Sequence, residues 1–540
     1  MGETGEMGAI QTGSDGRRRL GNYLAGAWRF GTGPGSALVD PTTGDELVWA
    51  DAEGIDLKAA LGFARLDGGV ALRAMSYAAR AQMLDRIAEA LAARRAEFEA
   101  IARANSGNTK LDAAIDIEGA IGTLKFFARA GSKLGEARVL RETPPVRLGR
   151  DENFQALHIG VPLEGVALHI NAFNFPAWNL WEKAAVSLLA GVPVLAKPAT
   201  ATAWLAVASV EAALGAGVLP PGALSIIAGR PRDLLDHLET GDAIVFTGSA
   251  ATADVVRTHA RVIARGVRVN IEADSLNSSI LGPEATPGSP AFDLFVTEIV
   301  REMTVKAGQK CTAIRRVFVP ASLAGSAGDA IAAKLAALPV GDPRLEEVRM
   351  GPVVSKAQQQ SVLAGIAQLA AETRPRYFPE KFTPLGADGR KGAFVPPTLL
   401  EAADPMSAHA PHEVEVFGPV ATLMPYATAA QAVELAARGG GSLAASVFSE
   451  DRAFLAHTAR ALAPSHGRVL AVDPSIGKSH TGHGIVMPMC THGGPGRAGG
   501  GEELGGLRAL AFYHRRAAVQ GARATLEALM QEGVDFPAPA

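Results

Sequence analysis

Gly165-Val-Ala-Leu-His-Ile-Asn-Ala-Phe-Asn-Phe-Pro176 is the stretch of this 540-residue chain that decides its fold. An apolar strand pattern at 166–170 runs directly into a polar turn, and a helical pattern at 178–190 follows. Outward from here, short apolar runs at 193–196, 224–227 and 243–246 alternate with predicted helices at 204–214 and 233–238. This alternation predicts an α/β fold with a parallel, doubly wound sheet and helices on both faces.

Helical patterns also flank this region. Before it, one long helix is predicted over 76–105 with Gly107 as its stop, and a second over 111–127 that Gly131 closes. Residues 154–159 have the pattern of an extended strand. The Pro/Gly-rich run 283–290 indicates a crossing into a second α/β region, whose predicted elements are helices at 292–305, 325–338, 356–372 and 428–438 and strands at 317–319 and 445–448. Residues 492–506 are extremely glycine-rich, and 507–519 has the pattern of a final strand or arm.

Composition bounds the function. The chain carries 52 Lys and Arg against 55 Asp and Glu, a net charge of −3, which gives no reason to expect nucleic acid or an anionic membrane as a partner. No apolar run reaches the roughly 18 to 20 residues that span a bilayer. The only two cysteines, Cys311 and Cys490, cannot form a disulfide framework, so a reducing, cytoplasmic setting is expected.

Three residues carry candidate chemistry. Cys311 lies in a loop of small residues next to Lys310 and Arg315, which predicts a thiol of lowered pKa; a small buried side chain is the alternative. Asn174 follows the first strand, where an amide could donate to an oxyanion or only fix the turn before a proline. Glu272 follows a strand at 267–271, as a general base or as an ordinary surface carboxylate.

Other strand ends carry residues suited to a nucleotide. Lys197 can reach a ribose or a phosphate, although a solvated lysine is the commoner situation. Gly248 and Ser249 open a helix with free N–H groups close to where a pyrophosphate could lie. The turn lacks a G-x-G-x-x-G sequence, which disfavours the standard dinucleotide fingerprint.

The order and spacing of these motifs, together with Glu415-Val-Phe-Gly-Pro419, resemble the aldehyde dehydrogenase superfamily over nearly the whole chain. Further segments are similar to the dehydrogenase part of phenylacetate ring-cleavage proteins and to the 3,4-dehydroadipyl-CoA semialdehyde dehydrogenases of aerobic benzoyl-CoA breakdown. These segments are 197–203, 272–277, 306–316, 479–484 and 492–506. The ring-cleavage proteins carry an additional hydratase domain, for which this chain ends too soon, so the second group is the expected match.

The resemblance implies a mechanism. Cys311 would attack the aldehyde, Asn174 and the Cys311 N–H would hold the oxyanion, and Glu272 would activate water to release the acid. Relatives that pass the acyl group to CoA commonly lack this Glu, so hydrolysis is expected. The usual Gly-Gly after the glutamate is replaced here by Ala273-Asp274, which leaves the local backbone uncertain.

The resemblance also implies cofactor contacts. Lys197 would hold the adenosine ribose, while Glu415 and Phe417, with Phe173 nearby, would contact the nicotinamide end. Where NAD-preferring members often carry Glu, this chain has Thr200. The absence of that carboxylate, with Arg230 after the following strand, favours NADP, although NAD is possible.

Domain limits follow from the same resemblance. A Rossmann-like cofactor domain is expected over 1–147 and 163–282, an α/β catalytic domain over 283–500, and a small β oligomerisation arm over 148–162 and 501–540. A homodimer is expected.

Two other classes of protein stay open. One is a cysteine hydrolase or acyltransferase that acts on CoA thioesters without nicotinamide; it needs a histidine near Cys311, and no histidine has support from the sequence. The other is a non-catalytic dinucleotide-binding protein. The histidines between Ser479 and His492 show no zinc-ligand spacing, so no metal is predicted and the glycines there are interpreted as flexibility near a long substrate.

Overall fold

A computed structural model describes residues 8–536. Residues 1–7 of the predicted cofactor domain and 537–540 of the predicted arm lie outside the described residues. The strands, numbered in chain order, are β1 (Ile10–Thr12), β2 (Arg18–Leu20), β3 (Asn22–Leu24), β4 (Ala27–Arg29), β5 (Ser36–Val39), β6 (Glu46–Ala50), β7 (Val139–Arg147), β8 (Phe154–Pro162), β9 (Ala167–Ile170), β10 (Val194–Lys197), β11 (Leu224–Ile226), β12 (Ala243–Thr247), β13 (Arg268–Glu272), β14 (Ser278–Leu281), β15 (Arg316–Pro320), β16 (Arg374–Tyr377), β17 (Thr398–Glu401), β18 (Val420–Tyr426), β19 (Ser442–Phe448), β20 (His466–Val472), β21 (Thr491–Gly493), β22 (Glu502–Leu504), β23 (His514–Ala522) and β24 (Gly533–Asp535).

The α-helices are numbered in the same way. They are α1 (Leu57–Phe63), α2 (Gly69–Ala74), α3 (Tyr77–Ala93), α4 (Arg95–Ser106), α5 (Lys110–Ser132), α6 (Trp178–Ala190), α7 (Ala203–Gly215), α8 (Ala250–Thr258), α9 (Ala260–Arg265), α10 (Pro290–Thr304), α11 (Ala324–Ala336), α12 (Lys356–Ala370), α13 (Ala410–Glu413), α14 (Ala429–Ala437), α15 (Arg452–Leu462) and α16 (Arg523–Gln531).

The first seven-stranded sheet has the order β13-β12-β9-β10-β11-β3-β4. Its five strands from β13 to β11 are parallel, and β3 joins β11 antiparallel. Their apolar side chains are buried from both faces, as parallel strands covered by helices require. The predicted parallel sheet is confirmed, and because parallel strands end on the same side, the turns after β9, β10, β12 and β13 converge on one edge.

The second seven-stranded sheet has the order β16-β17-β18-β15-β14-β19-β20. Strand β14 pairs with β15 and β19 within this sheet, although the predicted boundary at residue 282 assigned it to the first domain. We propose that the chain crosses between the two α/β units at residues 273–277. The residue pair Glu272 and Cys311 therefore sits between the two sheets, one following the last strand of the first and the other preceding β15.

A third sheet, β23-β8-β7-β24, forms a separate arm. Strand β23 pairs with β8 over nine residues, from His514 opposite Pro162 to Ala522 opposite Phe154. The predicted strand at 507–519 is wrong over its first half, where residues 506–513 form a 3₁₀-helix before β23 begins. Because β7 pairs with β8, we propose that the arm begins at residue 139 and not at 148.

Local sequence signals explain most helix ends. Gly107 ends α4 with φ 65°, a left-handed conformation that glycine adopts at low cost. Thr109 and Asp112 form a reciprocal capping box at the start of α5. The predicted single helix over 76–105 is wrong, because the chain breaks at Arg94. The prediction that Gly131 closes the next helix is also wrong, since α5 continues through it to Ser132.

Within residues 8–536, no helix is both long enough and apolar enough to cross a membrane.

Candidate active site

The Cys311 loop begins with an unusual turn at the end of α10. Lys306, Ala307 and Gly308 are all left-handed, with φ of 54°, 51° and 68°. Two non-glycine residues in this region cost about 1–3 kcal/mol each, so the surroundings must hold them. The Lys306 N–H donates to Asp112 Oδ1 (2.8 Å), and a Cβ on Gly308 would lie 2.2 Å from the Gly418 carbonyl oxygen. The turn presents Cys311, which is partly buried, to a cavity.

The cations beside Cys311 in the sequence do not activate the thiol. Lys310 pairs with Glu302 (2.6 Å), and Arg315 donates to the carbonyls of Gly418 (2.7 Å) and Gly308 (2.8 Å). Burial raises the pKa of the Cys311 thiol well above its ordinary value, and neighbouring carboxylates raise it further. The predicted lowering of this pKa by neighbouring cations is therefore wrong. Lys310 is paired with another carboxylate, and Arg315 is hydrogen-bonded to backbone carbonyls. The thiol needs a base to ionise.

Glu272 supplies a carboxylate next to that thiol. It is the last residue of β13 and is 3% exposed. Donor atoms of Glu272, Cys311 and His492 all lie within 4.8 Å of one another. Glu272 Oε2 is 2.9 Å from His492 Nε2. Burial raises the pKa of this carboxyl, but the positive charges of His492 and Lys183 outweigh burial and hold the pKa low.

His492 is the residue that the sequence did not predict at this site. It lies on β21, opposite Glu503 of β22, and the hairpin between them docks on the β13 backbone. The Gly501 N–H donates to the Ile271 carbonyl (3.1 Å), and a Cβ on Gly499 or Gly501 would lie 2.2 Å or 2.5 Å from that oxygen. These two glycines permit close packing of the hairpin on β13. The sequence supported no histidine near Cys311, and the structure places His492 there.

Three more ionisable residues form a charged group next to Glu272. Lys183, on α6, lies 3.1 Å from Glu182 and 3.2 Å from Glu503; Lys183 and Glu182 are buried, and Glu503 is partly buried. Burial raises the pKa of Glu182 to about 7, while Lys183 lowers it. Two carboxylates and Glu272 thus share the lysine and His492. The only sequence signal for this group was its charge inside apolar α6 and the glycine-rich hairpin.

Two asparagines complete this end. Asn174 is 4% exposed and lines the cavity with Cys311 and Glu272, and its Oδ1 has no hydrogen-bond partner among the described residues. Asn277 donates its amide to the carbonyls of Cys311 (2.7 Å) and Ala313 (3.0 Å). The first can face a substrate, whereas the second fixes the loop. Asn277 lies in the segment 272–277, which resembles the dehydrogenases named above, but the sequence predicts no role for it.

The cavity joins these residues to most of the others predicted from the sequence. Its volume is about 720 Å³, within the range of small-molecule sites. It is lined by Phe173, Asn174, Lys197, Gly248, Ser249, Glu272, Cys311, Glu415 and Phe417. Thr200 and Arg230 are not among its lining residues. Thr200 is buried, and Arg230 is exposed near Lys197.

Aromatic rings and one carboxyl flank the centre of the cavity. The Phe173 and Phe417 rings are 5.6 Å apart, edge to face, and the Arg315 guanidinium lies 5.5 Å from the Phe417 ring. Burial raises the pKa of Glu415 to about 7, although the positive charge of Arg315 lowers it. The group can therefore exchange a proton near neutrality.

The Lys197 end is suited to phosphates and a sugar. Burial lowers the pKa of Lys197 to about 8, and the charge of Arg230 adds to this. Ser249 caps α8 by accepting from the Thr252 N–H, and Asp274 Oδ1 accepts from the Ala250 N–H (2.9 Å). The residue that replaces a glycine after Glu272 thus occupies one donor at the helix N-terminus.

Comparison with known proteins identifies similar chains. The sequence profile of the aldehyde dehydrogenase family matches residues 29–518. The 3,4-dehydroadipyl-CoA semialdehyde dehydrogenase of Aromatoleum evansii is 55% identical over 478 residues, covering 88% of this chain and 93% of that protein. A non-phosphorylating aspartate-semialdehyde dehydrogenase of Halomonas elongata is 27% identical over 442 residues, covering 79% of this chain and 83% of that protein.

Solved structures agree on the fold. The NAD+ complex of an aldehyde dehydrogenase from Bacillus cereus superposes with a TM-score of 0.80 at 21% identity, covering 94% of this chain and 97% of that one. At this identity, the likeness shows a shared fold.

Proposed function

This chain belongs to the aldehyde dehydrogenase family, and on that premise we propose that it oxidises a CoA-linked semialdehyde, 3,4-dehydroadipyl-CoA semialdehyde, to the carboxylic acid with NADP. The observation that carries the proposal is the single cavity that joins Cys311, Glu272 and Asn174 to Lys197 and the two phenylalanines. A nucleophile, a base and an amide donor thus lie in continuous space with a site fit for a nucleotide.

The substrate class rests on the relative from Aromatoleum evansii. Identity of 55% over 88% of this chain and 93% of that protein supports a common substrate class. The CoA portion serves as a handle on the substrate. The acyl acceptor is water, since the cavity places Glu272 next to Cys311, where a carboxylate can activate a water molecule.

The chemistry divides into two stages. Glu272 takes the thiol proton, Cys311 Sγ bonds to the aldehyde carbon, and the Asn174 amide with the Cys311 N–H stabilises the oxyanion. When bound, the nicotinamide accepts the hydride that leaves this carbon, and a thioester on Cys311 results. Glu272 then releases the thiol proton to solvent, which makes it a base again. In the second stage, it removes a proton from water, whose oxygen attacks the thioester; the acid leaves, and the departing Cys311 thiolate takes the proton from Glu272 to restore the thiol.

His492 and Lys183 position and charge Glu272 in this scheme. The high pKa of the Cys311 thiol means that the enzyme rests with a thiol and a carboxylate side by side. Without opposing cations, a carboxylate buried to 3% exposure would take up a proton and could not act as a base. The two cations therefore keep the base ready in both stages.

The residues at the other end fit the cofactor. Lys197 can bind the adenosine ribose, and Gly248 and Ser249 the pyrophosphate beside α8. The buried hydroxyl of Thr247, which lines the cavity there, has no hydrogen-bond partner among residues 8–536, as expected of a site built for polar groups of a ligand. The absence of a carboxylate at Thr200 and the charge of Arg230 support NADP over NAD.

A nicotinamide-free thioester hydrolase is the second candidate, favoured by His492. In cysteine hydrolases the histidine contacts the thiol directly and a carboxylate orients the histidine. Here Glu272 Oε2 is 2.9 Å from His492 Nε2 and both groups have a donor atom within 4.8 Å of the thiol, but the nucleotide-type half of the cavity would have no use in a hydrolase. We therefore place this activity second.

The arm supports an oligomer. Its strands β7 and β8 and the turn between them expose three large apolar side chains, Val146, Leu148 and Phe154, which are 56%, 42% and 45% exposed. We propose that the arm forms part of a homodimer contact and that the two α/β units bind cofactor and substrate. The proposed location of the protein is the cytoplasm, where its two unpaired cysteines stay reduced. Light scattering on the purified protein tests the dimer.

The decisive experiment follows the absorbance of reduced nicotinamide with the CoA-linked semialdehyde and NADP, NAD or no cofactor. Fast NADPH formation is expected, with a free carboxylate and an intact CoA thioester as the product. The matched substrate is the same semialdehyde without CoA, which should react with a higher KM. Release of CoA without any nicotinamide would instead establish the hydrolase.

A further inference from the structure

We propose that Cys311, Glu272 and His492 form a binding site for one Zn²⁺ ion, and that its occupation reversibly inhibits the enzyme by taking the nucleophile and the base together. The inference rests on the arrangement of three donor atoms and does not depend on which aldehyde the enzyme oxidises.

The donors have the chemistry and spacing that zinc requires. A thiolate sulfur, an imidazole nitrogen and a carboxylate oxygen are the three ligand types of protein zinc sites, with bonds of about 2.0–2.3 Å. In a tetrahedral site such atoms lie roughly 3.3–3.7 Å apart. Here all three lie within 4.8 Å of one another, and Glu272 Oε2 and His492 Nε2 are 2.9 Å apart. Side-chain shifts of about 1 Å would complete the set.

The donors are also not committed elsewhere. Despite the short Oε2–Nε2 distance, neither carboxylate oxygen of Glu272 has a partner with hydrogen-bond geometry within residues 8–536. Glu272 is 3% exposed, so these oxygens are turned inward to the cavity and not to bulk water. A buried carboxylate without a directed donor is a group that a cation would satisfy.

The framework holds the three residues on separate, well-anchored segments. Glu272 ends a parallel strand, Cys311 follows the left-handed turn, and His492 lies on the glycine-rich hairpin that docks on β13. Rigid elements favour metal binding because less ordering is needed when the ion enters. Glu272 and Cys311 line the cavity, which has room for a water molecule as a fourth ligand.

Binding is a ligand exchange without a change of oxidation state. The ion displaces the thiol proton, which passes to solvent, and the thiolate and carboxylate charges neutralise the divalent ion. Cys311 can then no longer attack an aldehyde, and Glu272 can no longer accept a proton. Removal of the ion by a chelator restores both groups.

The test uses the full chain with Cys490→Ser, because Cys490 is exposed and would bind metal and alkylating reagents on its own. Titration with Co²⁺, a spectroscopic substitute for Zn²⁺, should give a thiolate-to-cobalt charge-transfer band that saturates near one ion per chain. Competition with a chromogenic chelator gives the Zn²⁺ affinity. His492→Gln should weaken Zn²⁺ at least about 100-fold, since loss of an outer partner alone costs 10–100-fold.

His457→Gln is the matched control, because this histidine is exposed on α15, and it should leave Zn²⁺ affinity unchanged. Equal Zn²⁺ affinity in the His492 and His457 variants would overturn the proposal, as would the absence of a saturable thiolate band.

A second measurement needs no change at the site. In the Cys490→Ser protein, one equivalent of Zn²⁺ should slow iodoacetamide alkylation of Cys311 and stop aldehyde oxidation, and EDTA should reverse both effects. Unchanged alkylation in the presence of Zn²⁺ would contradict the site even if the enzyme proved to use a different substrate.

Discussion

At the Cys311 end of the cavity, ionisable side chains from several distant segments share their charges, whereas the Lys197 end is built mostly from backbone, small residues and aromatic rings. Glu272, on β13, has a donor atom within 4.8 Å of one on His492 of β21. The charge of Lys183, on α6, also acts on Glu272. At the other end, neither Lys197 nor Arg230 forms an ion pair with a carboxylate among the described residues. The difference implies that the first end controls rate and the second controls affinity.

The strongest test of this division is Glu272→Gln. The variant keeps the shape of the side chain but cannot accept a proton, so hydrolysis of the thioester should fail. The steady-state rate should fall about 10²–10⁴-fold, and because Glu272 also takes the thiol proton in the first stage, the burst of up to one NADPH per active site should form more slowly than in the wild type. Rapid-quench or stopped-flow absorbance with NADP measures both phases. Steady turnover at the wild-type rate would show that another group activates the water.

His492→Gln should give a smaller loss of the same kind. The amide can still donate to Glu272 but carries no charge, and an uncompensated buried group costs about 2 kcal/mol, or about thirtyfold in kcat. The KM for NADP should not change, because His492 does not line the Lys197 end. His457→Gln, on exposed α15, is the control for the loss of a histidine. A change in the KM for NADP with unchanged kcat would contradict the assignment of rate to the Cys311 end and of cofactor affinity to the Lys197 end.

The two ends also differ in how far the sequence predicts them. The Lys197 end follows consecutive strand ends, so the strand–helix alternation and the motif order locate it; the predicted helix at 178–190 coincides with α6. His492 and Glu272 are separated by over 200 residues, and their meeting depends on hairpin glycines that touch the β13 backbone. Sequence spacing cannot predict a contact of this kind. It also does not predict the break at Arg94, because apolar residues recur at helical spacing on both sides of it.

At the affinity end, Thr200→Glu should reduce the preference for NADP. Thr200 lies beside the ribose-binding Lys197 in the proposed site, and a carboxylate there repels a 2′-phosphate. We expect the KM for NADP to rise about tenfold, roughly 1.4 kcal/mol of repulsion, with kcat little changed. Thr200→Gln, of equal size and without charge, is the matched control. If Gln raises the KM as much as Glu does, steric crowding and not charge is the cause.

The smallest expected effect concerns the protonation of Lys197. Burial lowers the pKa of this ammonium to about 8, with a contribution from Arg230, so the positive charge is lost as the pH rises through that value. Because the cofactor phosphates are already ionised, NADP affinity should fall about fourfold between pH 7 and pH 8.5. Lys197→Arg keeps its charge over this range and should flatten the profile, as measured by fluorescence titration of NADPH without substrate. An equally steep profile in the arginine variant would place the titrating group elsewhere, and the Glu415 carboxyl, whose pKa is about 7, would be the next residue to replace.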